Sequence, residues 1–146
     1  MNVLQFTVPG KPRAKKRARK INGNWFNPSR RDMDNIIKII KTQLPENFIM
    51  IPKGIPIVVN IEWFFEPTKS EKTKKFIDLI KNDDYPYVKK IDRDNMDKLI
   101  LDSCNKLLWY DDAQIYDGRI TKYYSINPRT EIEVVWQNEK NKKSQD

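Results

Sequence analysis

In the stretch IPIVVNIEWFFEP, residues 55–67, a large apolar side chain recurs at every second position. These side chains belong to Ile55, Ile57, Val59, Ile61, Trp63 and Phe65. Because successive side chains of a β-strand point to opposite faces, all six fall on the same face. The pattern therefore predicts a central strand with one face in the hydrophobic core.

Shorter periodic segments surround this strand. NVLQFTV (2–8) and TEIEVVW (130–136) alternate in the same way and predict a first and a last strand. Apolar residues at helical spacing predict helices over 29–44, over 70–82 and from Asp94 to about Leu108, with Cys104 as a buried residue of the third. A further strand follows the turn at 110–112. This order predicts a single α+β domain, a mixed or antiparallel sheet with helices packed on one face.

Composition excludes several kinds of catalytic site. The 146 residues include no histidine and one cysteine. Hydrolases with a histidine base and histidine-metal nucleases are therefore excluded, and a zinc site is disfavoured. A single cysteine also rules out an internal disulfide and favours a reducing cytoplasm. No apolar run is long enough to cross a membrane.

Basic residues concentrate near the N-terminus of a chain whose net charge is +8. The segment 9–27 includes two prolines, which break regular structure, so it is predicted to be a basic arm or loop rather than a core element. Its seven cations between positions 11 and 20 suit nucleic-acid phosphates, although a solvated charge run is the alternative. They are Lys11, Arg13, Lys15, Lys16, Arg17, Arg19 and Lys20. The domain is predicted over 1–137, with a disordered polar tail over 138–146.

A cluster of acids interrupts this basic sequence at KKIDRDNMDKLILDSC, residues 89–104. Asp94 is the predicted N-cap of the third helix, and Asp97, three residues on, is assigned to the same structural role. Asp92 has no such role, and in an extended backbone it would converge with Asp94 on one point. Lys98 and Asp102 follow Asp94 at intervals of four along the helix surface.

A second acidic pair, Asp111-Asp112, opens the next strand. It meets the first cluster only if the sheet brings the two together. The sequence fails the calcium-loop pattern, because Asp97 stands where that loop requires glycine. Carboxylates without imidazole or thiol suit Mg²⁺ or Mn²⁺, and a basic surface around them suits phosphodiester hydrolysis. The residue types alone leave open a nuclease and a non-catalytic binder with structural acids.

Taken together, these motifs resemble those of the RusA family of Holliday-junction resolvases. The resemblance rests on DRDNMDK (92–98), Asp102, DDAQI (111–115) and the following GRITK, which ends at Lys122. It extends to the N-terminal strand with its basic VPGKPRAKKRAR (8–19) and covers roughly residues 3–136. The segment 66–90 is longer than a minimal member needs.

The resemblance implies a Mg²⁺-dependent endonuclease, with Mn²⁺ as a possible substitute, that binds four-way DNA junctions as a homodimer and nicks two strands symmetrically. It implies Asp92, Asp94 and Asp112 as metal ligands, Lys98 as the essential lysine and Lys122 as a DNA contact. Supporting roles fall to Asn95, Asp102 and Asp111. It also implies a bacterial cell and a phage or prophage origin.

Two other functions remain as alternatives at this stage. One is an architectural DNA- or RNA-binding protein whose acids cap helices and pair with lysines, and the other is a basic adaptor for an acidic protein. Metal dependence separates the nuclease from the first of these, because both would bind nucleic acid with a steep salt dependence.

Overall fold

The computed structural model describes residues 1–138, so the predicted tail lies almost entirely outside the described residues. Seven strands and three α-helices follow one another within these residues. Their bounds are β1 Asn2–Pro9, β2 Arg19–Ile21, β3 Asn24–Phe26, α1 Arg30–Gln43, β4 Ile57–Phe65, α2 Lys74–Ile80, α3 Arg93–Cys104, β5 Ile115–Asp117, β6 Ile120–Tyr124 and β7 Arg129–Trp136. In this part of the chain no helix is long and apolar enough to cross a membrane.

The main sheet is built around β4. On one side β4 pairs antiparallel with β7, which in turn pairs antiparallel with β1. On the other side β4 pairs parallel with β5 and β6. The sheet is therefore mixed, which confirms the predicted α+β class. Strands β2 and β3 form a separate two-stranded hairpin.

One face of the sheet carries the core, as the period-two pattern predicts. Alternate residues of β4 from Ile57 to Phe65 are buried and pack with the apolar stripes of α1 and α3. Cys104 is fully buried at the end of α3, and burial raises the pKa of its thiol, which confirms its assignment as a core residue. The core thus fixes α3, which carries most of the acidic motif, against the central strand.

The third helix is shorter and starts earlier than predicted. It ends at Cys104, and Lys106 adopts a positive φ of 65°. Leu108 is buried, but it lies in the turn that follows the helix. The N-cap position belongs to Asp92, so the prediction of Asp94 as the N-cap was wrong. Asp94 lies in the first helical turn, where the helix dipole still favours an anion.

The basic segment contains more regular structure than a loop. Its C-terminal part forms the hairpin of β2 and β3, joined by Asn22 and Gly23, both with positive φ. Asn-Gly is a sequence that favours such two-residue turns. The remainder of the segment lies against α1 and α3, and Pro12 is buried there.

Candidate functional site

The N-terminus of α3 presents two exposed carboxylates. Asp92 precedes the first helical residue, and its Oδ2 accepts a hydrogen bond from the side-chain amide of Asn95 at 2.9 Å. Asp94 lies within the first turn and is also exposed. Asn95 thus holds the Asp92 carboxylate, as the sequence suggested it could. Because Asp94 is already helical, convergence of the two acids does not follow from extended-strand geometry.

Asp97 has a different role from the one predicted. It lies inside α3, is half-buried, and within residues 1–138 its Oδ1 has no hydrogen-bond donor. Burial raises the pKa of its carboxyl, nearby Asp94 raises it further, and Arg93 opposes both. Its assignment as a capping residue was therefore wrong, because the helix begins two residues earlier than that assignment assumed.

A polar row runs along one side of α3, formed by Asp94, Lys98 and Asp102 at intervals of four residues. At 1.5 Å rise per residue its ends are about 12 Å apart. The basic segment lies along this row. Lys15 donates its backbone N–H to the carbonyl of Asn95 at 2.8 Å, and its ammonium lies 2.5 Å from Oδ2 of Asp102.

Asp112 lies beside the far end of the row. The indole N–H of fully buried Trp109 donates to Oδ1 of Asp112 at 2.6 Å. Burial raises the pKa of the Asp112 carboxyl, and the negative charges of Asp102 and Asp111 raise it further against the effect of the Trp109 bond. The sheet therefore brings Asp112 within electrostatic range of Asp102 on α3, a meeting that the sequence left open.

Asp111 caps a short turn that follows it in the chain. Its Oδ1 accepts a hydrogen bond from the backbone N–H of Ala113 at 3.0 Å, and its own N–H donates to Gln114 at 2.9 Å. These bonds close a single 3-10 turn from Asp112 to Gln114. Gln114 also donates to the carbonyl of Ile55, just before β4. The DDAQ motif thus ties the position of Asp112 to the central strand.

The donor set fits a hard divalent cation in its chemistry. Every candidate ligand is a carboxylate, the oxygen donor that Mg²⁺ and Mn²⁺ prefer. Within residues 1–138 no three acidic or thiol side chains are grouped closely enough to hold a metal together. Mg²⁺ in enzymes that act on phosphates is often bound by only one or two carboxylates, with water and substrate oxygens completing its shell.

The predicted DNA-binding cations differ in their availability. Arg17, Arg19 and Lys20 are exposed, as is Lys11. The guanidinium of Arg13 lies 3.4 Å from the Asp32 carboxylate on α1, and the ammonium of Lys15 forms an ion pair with Asp102. Lys16 has an exposed side chain, while its backbone N–H donates to Ser29 Oγ at 2.7 Å. The Ser29 hydroxyl therefore anchors the basic segment and makes no capping hydrogen bond to α1, although Ser29 is at its N-cap position.

A basic concavity of about 460 Å³ lies beside the segment that leads into α3. The sequence analysis did not predict it. Lys89, Lys90, Arg93 and Lys122 line it, together with the ring of Tyr87. The Lys122 ammonium donates to the carbonyl of Lys89 at 3.1 Å. The sequence feature that could have revealed this concavity is the pair Lys89-Lys90 of KKIDR, a pair that ends two residues before Asp92. The concavity therefore places several cations close to the acids at the start of α3.

Another concavity, of about 740 Å³, lies elsewhere, on the sheet face opposite the core. Its lining includes Glu62, Glu131 and Glu133, and none of the motif acids. Burial raises the pKa of Glu62, and the charges of Glu131 and Glu133 add to the effect. The motif acids thus lie on or near α3 and not on this face, although Gly118, Arg119 and Thr121 of the GRITK motif line it.

Comparison with known proteins identifies the family. Residues 45–135 match the family model described as Endodeoxyribonuclease RusA, a range that holds β4, α3 and every motif acid. The chain belongs to the RusA family. It is also 27% identical over 140 residues to the uncharacterized protein YqaN of Bacillus subtilis (strain 168), an alignment that covers 90% of this chain and 95% of that protein.

Membership of the RusA family gives the activity in outline. The family consists of endonucleases that resolve Holliday junctions, so the chain is a nuclease whose substrate is branched DNA. The acidic row, Asp112 and Lys122 all lie within the matched range, whereas the basic segment precedes it. The family therefore accounts for the acids, and the contacts of the basic segment must be argued from this chain.

Proposed function

We propose that this RusA-family nuclease is a Mg²⁺-dependent resolvase that cuts four-way junctions by paired symmetric nicks. The observation that carries the proposal is the row Asp94, Lys98 and Asp102 on α3, with Asp112 beside Asp102 and the basic segment lying along it. Acids are set among cations here, an arrangement suited to a metal ion and a phosphate held together.

The proposed ligands are Asp92, Asp94 and Asp112. Because Asp94 and Asp112 stand towards opposite ends of the row, Mg²⁺ would be bound directly by one or two of these carboxylates, with water and substrate oxygens completing its shell. When bound there, Mg²⁺ would activate the attacking water and offset the negative charge that develops on the phosphate. Trp109 fixes one oxygen of Asp112, and Asn95 fixes one oxygen of Asp92, so both carboxylates are oriented before substrate arrives. Mn²⁺ would serve as a substitute because it takes the same oxygen donors.

Lys98 is the proposed catalytic cation. It is exposed on α3 one turn after Asp94 and one turn before Asp102. An ammonium in this position would contact the scissile phosphate and stabilise its charge in the transition state. The cations at Lys90, Arg93 and Lys122 would hold the neighbouring phosphates of the same strand.

Homodimerisation is part of the proposal. Two symmetric nicks in strands of like polarity require two active sites related by a two-fold axis, and one chain carries one acidic row. Sedimentation of the protein with and without a four-way junction would measure the assembly. A cytoplasmic protein encoded by a phage or prophage and used in DNA recombination and repair is the setting that we propose for it.

The test is cleavage of an end-labelled four-way junction beside a linear duplex of matched sequence, in Mg²⁺ and in chelator. Wild-type protein should nick the junction at symmetric positions only with the metal. Asp94→Asn should keep junction binding and lose cleavage, because it retains size but loses the ligand charge. Asp78→Asn, an exposed acid on α2, is the matched control and should cut like wild type.

Each contrary result has a definite meaning. Cleavage by Asp94→Asn at the wild-type rate would show that the proposed site is wrong. Tight junction binding without cleavage in Mg²⁺ or Mn²⁺ would instead favour the architectural DNA-binding function.

A further inference from the structure

The hairpin formed by β2 and β3 exposes an unusual amount of apolar surface. All six residues of its strands are exposed, and within residues 1–138 the two strands pair only with each other. Trp25 is 72% exposed, Ile21 54% and Phe26 46%. A two-stranded hairpin has little stability by itself, so large exposed rings on one are a sign of a binding surface.

The base of the hairpin is fixed beside the acidic row. The Ser29 hydroxyl, which is fully buried, accepts a hydrogen bond from the backbone N–H of Lys16. This bond joins the residues just before the hairpin to those just after it. On the other side of the hairpin, Asn27 Oδ1 accepts the N–H of Ser29 at 2.9 Å. The bond from Lys15 N–H to Asn95 then holds this base against the first turns of α3. The base of the hairpin is therefore anchored at Asn95, the residue that follows Asp94 in α3.

The pairing register places a cation across from each ring. Lys20 lies opposite Trp25, and Arg19 lies opposite Phe26. Residues directly opposite in an antiparallel pair share a face, and successive pairs alternate between faces. Each face of the hairpin thus combines one aromatic ring with one cation. Proteins that bind unpaired nucleic acid use these two components together, a ring for the base and a cation for the backbone.

We propose that the hairpin reads the branch point of the DNA, with Trp25 stacked on an unstacked base and Lys20 on the adjacent phosphate. This inference deepens the proposed function and rests on it. Inside a linear duplex each base is covered by its neighbours on both sides, so the ring of Trp25 has no free base face to contact. At a branch point stacking is interrupted, and a face becomes available. The hairpin then supplies preference for branched over linear DNA, next to the acids that cut it.

The experiment measures stacking directly. A 2-aminopurine base is placed at the branch point of a four-way junction and, in a second substrate, inside a matched linear duplex, both in chelator to prevent cleavage. Trp25→Ala, Trp25→Phe and wild-type protein are compared. Tyr116→Ala is the matched control, because Tyr116 is 70% exposed on β5, outside the hairpin. Since no core residue packs on Trp25, the variants should fold like wild type.

We expect Trp25→Ala to weaken junction binding about tenfold and duplex binding less than twofold. Trp25→Phe should restore most of the affinity, since a smaller ring can still stack. Wild-type protein should quench the branch-point 2-aminopurine, and Trp25→Ala should not. Acrylamide quenching of tryptophan fluorescence should fall when the junction binds, because Trp63 and Trp109 are buried, Trp136 is only partly exposed, and Trp25, at 72% exposed, is the most accessible indole. Tyr116→Ala should change none of these values.

Failure of this inference can be told apart from failure of the proposed function. If wild type cuts the junction in Mg²⁺ while Trp25→Ala binds and quenches equally well, the stacking role is wrong and the resolvase stands. Equal losses on junction and duplex would also overturn it, because Trp25 would then be a general DNA contact. If wild type shows neither preference for the junction nor cleavage of it, both proposals fall.

Discussion

The ammonium of Lys15 lies 2.5 Å from Oδ2 of Asp102, so a residue of the basic segment supplies the counter-charge for the acidic row on α3. The two side chains are only 30% and 33% exposed, which limits screening by salt. Asp102 in turn raises the pKa of Asp112. Lys15 therefore acts within the electrostatics of the site, whereas its neighbours Arg17 and Arg19 face the solvent.

The first prediction concerns the salt dependence of DNA binding. Each lysine that contacts a phosphate releases a counterion, so its loss lowers the slope of log affinity against log salt by about one. Lys11→Gln, at an exposed position of the basic segment, should produce this change. Lys15→Gln should leave the slope nearly unchanged, because the ammonium of Lys15 is already paired with the Asp102 carboxylate.

The two variants are a matched pair, since each replaces one lysine of the same segment by glutamine. Binding of a labelled junction in chelator, titrated from low to moderate salt, measures both slopes. An equal decrease for Lys15→Gln would mean that Lys15 leaves Asp102 and contacts a phosphate in the complex. The prediction that all seven cations bind DNA would then be correct for Lys15.

The sequence predicted the sheet and core well because these depend on local periodicity. The period-two pattern of β4 and the helical stripe of α1 both bury the residues expected of them. Burial of a periodic stripe needs no knowledge of distant contacts, since the stripe must face some core. The mixed order of the sheet did require the structure, because β7 inserts between β1 and β4.

The errors fell where side chains are used by distant parts of the chain. Ser29 fits a capping pattern, yet its hydroxyl binds Lys16 across 13 positions. Asp97 fits a cap position, yet the helix starts at Arg93 and leaves it half-buried inside. Capping rules identify residue types that suit a helix end, and several residues of DRDNMD suit it equally. Local sequence therefore found the acids but could not assign their separate roles.

The second prediction concerns Gly118, between β5 and β6. A Cβ at this position would lie 1.9 Å from the carbonyl oxygen of Val59 on β4, and that neighbour is backbone, which cannot rotate away. Gly118→Ala must therefore displace the strand and should lower the free energy of unfolding by about 1–3 kcal/mol. Urea denaturation would measure the loss.

Tyr116→Phe is the control for this variant, because Tyr116 is exposed in the same strand pair. It should unfold at the same urea concentration as wild type. A Gly118→Ala protein as stable as wild type would mean that β5 and β6 are not held as close to β4 as described. The turn chemistry of Asp117-Gly118 alone would then explain the glycine.

Glu71 joins two other residues of the segment 66–90, Thr68 and Lys89, to the sheet. Its Oε1 accepts hydrogen bonds from the ammonium of Lys89 at 2.7 Å and from the N–H of Thr68 at 3.0 Å. Its Oε2 accepts the hydroxyl of Tyr124, on β6, at 2.7 Å. Lys89 stands three residues before Asp92, so this carboxylate helps to fix the chain that leads into α3.

The third prediction follows from the ionisation of Glu71. The bond from Lys89, followed by those from Thr68 and Tyr124, lowers the pKa of the carboxyl from 4.5 to about 2. A lowered pKa means that the folded state favours the charged form. The stabilisation is therefore complete above pH 4.5 and is lost as the pH falls towards 2. Glu71→Gln should lower Tm at neutral pH. The difference in Tm between this variant and wild type should become smaller as the pH falls from 4.5 towards 2.

Thermal unfolding of both proteins between pH 3 and 8 would test this, with Glu46→Gln, an exposed acid after α1, as the control that shows no such trend. Added salt should reduce the Glu71→Gln effect, because the Lys89 ammonium is 46% exposed and the pair is partly screened. A difference that persists unchanged at pH 3 would assign the loss to the neutral hydrogen bonds. Glu71 would then hold the approach to α3 by geometry, and its charge would contribute little.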